Sequence, residues 1–413
     1  MAVFRPFRAV RPAKEYAAGV ISLPYDVMSR QEAAEMAQGK PYNYLHICRS
    51  EIDLPKQRNP YDPEVYKKAK SNIQEFLNKG VFIRDRVPAF YVYREIMNGR
   101  AQTGLVGCAS IDDYQNDIIK KHEKTRYEKE VDRINHFDVC NADTEPVFFT
   151  YKDNADLAAM IAKVVTREPE YDITDDQGVQ HILWVVNDPV EREKIQTIIA
   201  EQIPYFYIAD GHHRSASAVK VGLKRRAQNP GYTGEEEFNY FMAVVFPDTD
   251  MAILDYNRVV RDLNGLPVEM FLEKVSEKFE VEKTGEEAYR PEAPHTFGMY
   301  LDDGWYKLTA KEGTYDAEDP IASLDVSILQ ENLLAPILGI GDPRSDQRID
   351  FVGGIRGLGE LERRVKKGMS AGFAIYPVDI AQLIAVADAG MLMPPKSTWF
   401  EPKLGSGLFI HEL

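Results

Sequence analysis

Asp210-Gly211-His212-His213-Arg214 places a carboxylate, a glycine, two imidazoles and a guanidinium side by side. The apolar, β-prone run Tyr207-Ile208-Ala209 precedes them and the helix-forming run Ser215-Ala216-Ser217-Ala218 follows. The five residues therefore fall on a strand-to-helix turn. A glycine there lets the backbone approach a ligand closely. The first amides of a helix have no internal partner, and the helix dipole adds positive potential at the same end. His212, His213 and Arg214 add polar or cationic groups, and Asp210 supplies a carboxylate that could hold Mg²⁺ or orient an imidazole. The chemistry implied is the binding and transfer of phosphate. A capping aspartate beside surface histidines would account for the same residues without a function, but such charge crowding favours the functional reading. Zinc fits less well, because adjacent histidines point in different directions and no third ligand stands at a telling spacing.

Three further groups qualify as candidates. His122, Glu123 and Thr125, followed by Asp132-Arg133, could move protons, hold a metal or meet a carboxylate; the plainer reading is a solvated helix face with pairs such as Lys124 with Glu128. Lys396-Ser397-Thr398 stands between Pro394-Pro395 and Pro402, where fixed backbone, a lysine and two hydroxyls suit a carboxylate or phosphate. Arg258, at the end of an apolar strand, could reach a pocket. The glycine-rich run Gly353 to Gly359 lacks the lysine of a phosphate-binding loop and reads as a structural turn.

The strand-Asp-Gly-His-His-Arg-helix segment resembles the phosphate-binding turn of the ParB/sulfiredoxin-like superfamily. Sulfiredoxins carry a catalytic cysteine where this chain has His212, which argues against their chemistry. The motif is similar to that of the free L-serine kinase group, and the chain as a whole resembles a widespread bacterial family of unknown function. Pro24-Tyr25-Asp26 resembles the Pro-x-Glu of those kinases, which implies Asp26 as general base. Pro395-Lys396-Ser397-Thr398 resembles their Pro-Lys-Thr-Thr, which implies Lys396, Ser397 and Thr398 as contacts to substrate. The resemblance implies a nucleotide-dependent phosphotransferase acting on a small hydroxylated metabolite such as free serine, with ATP or ADP as donor and Mg²⁺ as cofactor. Gly211, His213 and Arg214 would hold phosphates, Asp210 would bind the metal or orient His212, and His212 would act with Asp26 in catalysis. Two alternatives stand: a phosphomonoester hydrolase such as a phosphoserine phosphatase, and a ParB-like, nucleotide-sensing DNA-binding module.

The elements that must position these groups follow from periodicity and turn signals. A short strand is predicted over Gly19 to Leu23, then a helix capped by Ser29 with Glu32 three residues on. A helix over Val65 to Leu77 and a hairpin, Ala89 to Glu95 and Gln102 to Ser110 around Asn98-Gly99, come next. Ile118 to Arg133 reads as a charged helix. From Ile182 to Val260 strands and helices alternate in an α/β pattern. Beyond Pro267 a helix, a hairpin through Asp302-Asp303-Gly304 and helices near Ile328 and Leu361 suggest a second domain. The expected fold class is α/β (α+β): a ParB/sulfiredoxin-like core of residues 1–45 and 176–262, an insertion over 46–175, and a C-terminal α+β domain over 263–413.

Composition narrows the partners. At 413 residues the chain is too long for one small core. Its net charge of −15 argues against a nucleic-acid surface, which needs a dense basic face. No run approaches the ~18 apolar residues of a membrane helix. Cys48, Cys108 and Cys140 are odd in number and far apart, which fits a reducing cytoplasm and no disulfide framework. A nucleotide and a small-molecule substrate are the expected partners.

Overall fold

The computed structural model describes residues 1–56 and 58–413. The architecture is mixed α/β, α+β in organisation. The chain forms two compact units, Met1–Met251 with Pro402–Leu413, and Ala252–Glu401.

The first unit is built on a mixed sheet of nine strands. Its centre comprises β1 (Phe90–Met97), β2 (Arg100–Ser110), β3 (Val147–Tyr151), β4 (Gln180–Val186), β5 (Phe206–Asp210) and β6 (Tyr240–Pro247). These strands are rich in aromatic and β-branched residues, as strands covered on both faces require. The order β5-β3-β6-β2-β1-β4 interleaves residues 46–175 with residues after 176. The expected insertion over 46–175 is therefore no separate body, because its strands share backbone hydrogen bonds with the rest of the sheet. The β1–β2 hairpin turns at Asn98 and Gly99, with φ of 52° and 80°, the positive pair that this two-residue turn needs.

Three helices matter for the site. Helix α1 (Pro63–Asn78) starts on an Asp62 cap. Helix α2 (Tyr127–Cys140) packs between it and α3 (His212–Gln228). Ser217 of α3 donates to the Glu130 carbonyl of α2 at 3.1 Å. The capping box at Ser29 and Glu32 forms as the sequence indicates.

Two local expectations fail. Gly19 to Leu23 is not a strand: Ala17–Val20 is a helical turn, and Ser22 makes an isolated bridge to Ser406. The helix expected from Ile118 starts only at Tyr127. Ile119–Lys120 pairs with β5, which holds the chain extended and carries residues 122–126 across the start of α3.

The second unit has its own antiparallel sheet of six strands: Phe279–Gly285, Gly304–Ala310, Thr296–Leu301, Ala371–Ile375, Tyr256–Val260 and Ile349–Gly353, in that order. Phe271, Val275, Phe297, Leu329, Leu333 and Phe373 fill its core. The boundary expected after residue 262 lies instead at Met251, because strand Tyr256–Val260 pairs with two strands of this sheet, Ile349–Gly353 and Ala371–Ile375. The expected C-terminal domain also ends early. Pro402–Leu413 belongs to the first unit, where His411–Glu412 pairs with Ala142–Asp143 and Ser406 with Ser22.

Candidate functional site

Strand β5 slips register between Ile208 and Asp210, a bulge that re-aims the chain as it leaves the sheet. Gly211 follows with φ of 95° and ψ of 30°. This is the left-handed region, strained for any residue with a Cβ. The helix then begins at His212, three residues earlier than the sequence pattern suggested, so both histidines and Arg214 lie in its first turn. Among the described residues no side chain caps this end, and no acidic residue occupies the first turn. The amides of a 17-residue helix are thus presented to an anion.

Each residue of the turn is held from beneath. Asp210 Oδ1 accepts from the Gly211 amide at 2.8 Å. Its Oδ2 lies 3.3 Å from Lys403 Nζ and 3.9 Å from Arg214 Nη2. Burial disfavours the Asp210 carboxylate, but Lys403 and Arg214 outweigh it and hold its pKa far below the usual range. Arg214 is buried and donates to the Pro146 carbonyl at 2.6 Å. Burial also opposes its charge, yet Asp210, Asp26 and Glu145 keep it firmly protonated.

The loop from His122 to Arg126 covers the histidines. The His122 amide donates to His212 Nε2 at 3.4 Å, and Glu123 Oε2 lies 3.9 Å from His212 Nδ1. Burial, then the neighbouring His122, pushes His212 well below the usual histidine range. It is therefore neutral, with Nε2 accepting and its proton on Nδ1 toward Glu123. The two rings meet edge to face with centroids 4.4 Å apart. His122 is 1% exposed, and among the described residues neither of its ring nitrogens has a hydrogen-bond partner. Burial drives its pKa down to about 4. His213 Nε2 accepts from the Arg126 amide at 2.9 Å, and Thr125 bonds the Glu130 carboxylate, which also pairs with Lys220. The Lys124–Glu128 helix pair does not form, because Lys124 lies in the loop before α2.

Asp26 is exposed and stands within electrostatic reach of Arg214 and His213. Its loop is pinned on both sides. The Tyr25 amide donates to Glu145 Oε1 at 3.3 Å, and the Tyr25 ring lies under Arg133 at 3.9 Å. Arg49 Nη1 donates to the carbonyls of Tyr25 and Met28 at 2.7 and 2.8 Å. Arg133 binds Asp132 at 2.8 Å and lies 3.6 Å from Glu145. Glu145 is wholly buried, and burial raises its pKa against the pull of Arg214 and Arg133. Its Oε1 also accepts from Ser406 at 2.9 Å.

The first unit thus gathers Asp26, His122, Glu123, Thr125, Arg133, Asp210, Gly211, His212, His213 and Arg214 around one helix start. Sequence reasoning missed Glu145 and the contribution of Ser406. A signal was present in Asp143-Thr144-Glu145-Pro146, where two carboxylates abut the fully apolar start of β3. Arg258, Lys396, Ser397 and Thr398 belong to the second unit. There Ser397 Oγ donates to the Pro394 carbonyl at 2.6 Å, so its hydroxyl holds a turn. Lys396 is exposed and leans over the Tyr256 ring at 5.5 Å.

The contacts do not fit Asp210 as ligand of a resident Mg²⁺. Two cations already face its Oδ2, and a third would be repelled. Among the described residues no group of three or more His, Cys, Asp or Glu side chains is placed to hold a metal ion. No described helix is long and apolar enough to cross a membrane.

A family model described as "Protein of unknown function (DUF1015)" matches residues 4–327. The chain belongs to this family. No curated protein matches its sequence. Solved structures with partial likeness include a free serine kinase mutant in complex with AMP, at 12% identity and a TM-score of 0.36, covering 72% of this chain and 90% of that one. SbnI with a C-terminal truncation, from Staphylococcus aureus, has 13% identity and a TM-score of 0.38, covering 74% and 87%. A conserved hypothetical protein from Pyrococcus furiosus has 12% identity and a TM-score of 0.33, covering 73% and 93%. The DUF1015 chain stands at a distance from all three.

Proposed function

We propose that this DUF1015 protein is a nucleotide-dependent phosphotransferase acting on a small hydroxylated acceptor. The observation that carries the reading is the uncapped start of α3. The left-handed Gly211 opens the first-turn amides, Arg214 and Lys403 add charge, and the exposed carboxylate of Asp26 stands within reach of the same turn. Catalysis of phosphoryl transfer is largely positioning and charge neutralisation, which such a turn supplies.

The step balances as follows. The acceptor hydroxyl gives its proton to Asp26 as its oxygen attacks the terminal phosphorus. The bond from phosphorus to the bridging oxygen of the nucleotide breaks, and the shortened nucleotide leaves with the electron pair. Neutral His212 orients the turn, with its acceptor nitrogen fixed by the His122 amide. Mg²⁺, where used, arrives with the nucleotide as part of the substrate, since metal ions on nucleotides are held mainly by phosphate oxygens.

The test is direct. Purified protein is titrated calorimetrically with AMP, ADP and ATP, then incubated with Mg²⁺, ATP or ADP and a panel of hydroxylated metabolites that includes serine. Tight binding that rises with the number of phosphates, and formation of a phosphate ester, are expected. Absence of both nucleotide binding and ester formation refutes the reading. Release of inorganic phosphate from a phosphomonoester without nucleotide binding would replace it with a hydrolase.

A further inference from the structure

In the second unit, helix α4 (Asp325–Leu329) runs directly into a π-helical turn, Gln330–Leu334, closed by the Ala335 amide on the Gln330 carbonyl at 2.9 Å. Such turns are rare and are frequently found at functional sites. This one borders a cleft of about 650 Å³ that lies wholly within the second unit. That volume is in the range of small-molecule sites.

Arg258 lines the cleft and is 3% exposed. Its guanidinium donates to the carbonyls of Tyr256, Pro395 and Lys396, the last at 3.0 Å. Lys396 adopts φ of 60°, in the left-handed region, as its carbonyl meets Arg258. Carbonyls are dipoles, not counter-ions. Among the described residues Arg258 has no carboxylate partner, and burial lowers its pKa to about 10. Buried charges are nearly always paired, so a guanidinium answered only by carbonyl dipoles and the Phe351 ring, 5.4 Å away, suits an anion in the cleft. A second group agrees. Ser327 also lines the cleft, and among the described residues its buried Oγ has no hydrogen-bond partner. Two of the three acidic groups of the wall are engaged elsewhere: Asp319 accepts from the Ile321 and Ala322 amides, and Asp342 binds Arg344; the third, Glu331, is exposed.

We propose that this cleft binds a small organic oxyanion, its carboxylate or phosphate group taken by Arg258 and Ser327 and its body packed against Val326, Pro394 and Pro395. Every residue that lines the cleft belongs to the second unit, and none of the contacts that support phosphoryl transfer at the α3 turn enters it. The charge recognises the oxyanion, and the volume has room for an organic ligand larger than a bare ion.

The experiment titrates the full chain with succinate and, separately, with glycerol 2-phosphate, by calorimetry. One of the two binds at one site per chain, and the arm that binds identifies the oxyanion. Ser327→Ala weakens it at least five-fold. Ala322→Trp, which places an indole in the cleft and obstructs it, abolishes it. Arg258→Gln also abolishes it, with folding checked by circular dichroism; the other two variants stand should this one not fold. Gly211→Ala, which disturbs the α3 turn of the first unit, leaves it unchanged. Failure of both probes to bind, binding that survives Ala322→Trp, or loss of binding on Gly211→Ala overturns the proposal.

Discussion

Replacing Gly211 by alanine tests the turn at its most constrained point. Its φ of 95° places a Cβ in the left-handed region, at a cost of about 1–2 kcal/mol. The new Cβ would stand 3.1 Å from Arg214 Nε and 3.2 Å from its Nη2, so the guanidinium must shift by a few tenths of an ångström. That shift strains the 2.6 Å bond from Arg214 to the Pro146 carbonyl. A hydrogen bond made by a charged group contributes about 1.5–3 kcal/mol, part of which is lost. The total is roughly 2–4 kcal/mol, or a fall in Tm of about 5–15 °C for a unit of this size. Gly39→Ala is the control. Gly39 has φ of 74° and nothing within 4 Å of its Cβ position, so it incurs backbone strain alone. Urea unfolding and ADP calorimetry on both variants separate the effects. Gly211→Ala is expected to be the less stable by about 1–2 kcal/mol, within the hydrogen-bond range just given. Its ADP affinity should fall at least about ten-fold, the equivalent of 1.4 kcal/mol. Equal stability and equal ADP affinity in the two variants would falsify this account of the turn.

Further outcomes follow from the same geometry. Asp26→Asn should slow phosphoryl transfer by about 10²–10⁴-fold with little change in nucleotide affinity, since a general base acts on the acceptor; equal loss of affinity would show Asp26 to be a binding residue. Glu145→Gln removes the buried carboxylate between Arg133 and Arg214 and should destabilise the protein by roughly 3 kcal/mol in urea unfolding; a neutral effect would show that the two guanidiniums need no counter-charge. His122 takes its proton near pH 6.5 when unfolded but only near about 4 when folded. Between these values the unfolded chain holds the extra proton. The contribution of His122 is therefore intact above pH 6.5 and declines as pH falls toward 4, by up to roughly 3 kcal/mol. His122→Phe should flatten that part of the stability curve, although His136, lowered likewise to about 4, and His212, also lowered by burial, keep some of the slope. An unchanged acid slope in urea unfolding at pH 7.5 and 4.5 would count against a buried neutral His122.

Local chemistry explains what the sequence determined by itself. The Asn98-Gly99 hairpin, the Ser29 capping box, the buried strands and the strand-to-helix turn at Asp210-Gly211 all depend on neighbours within a few residues, so period and turn type expose them. The crowding of His212, His213 and Arg214 at one helix start was legible for the same reason. Tertiary structure decided the rest. Ile118 to Arg126 carries helical residues, yet pairing of Ile119–Lys120 with β5 holds it extended and delivers His122 to His212. Residues 46–175 read as an insertion because strand order in a sheet leaves no local mark; hydrogen bonds to β4, β5 and β6 make them part of one sheet. Glu145 gains its role only through burial beside Arg133 and Arg214, residues 12 and 69 positions away in sequence. Lys403 reaches Asp210 across 193 positions of sequence, a separation that only the folding of the chain's last residues onto the first unit can close.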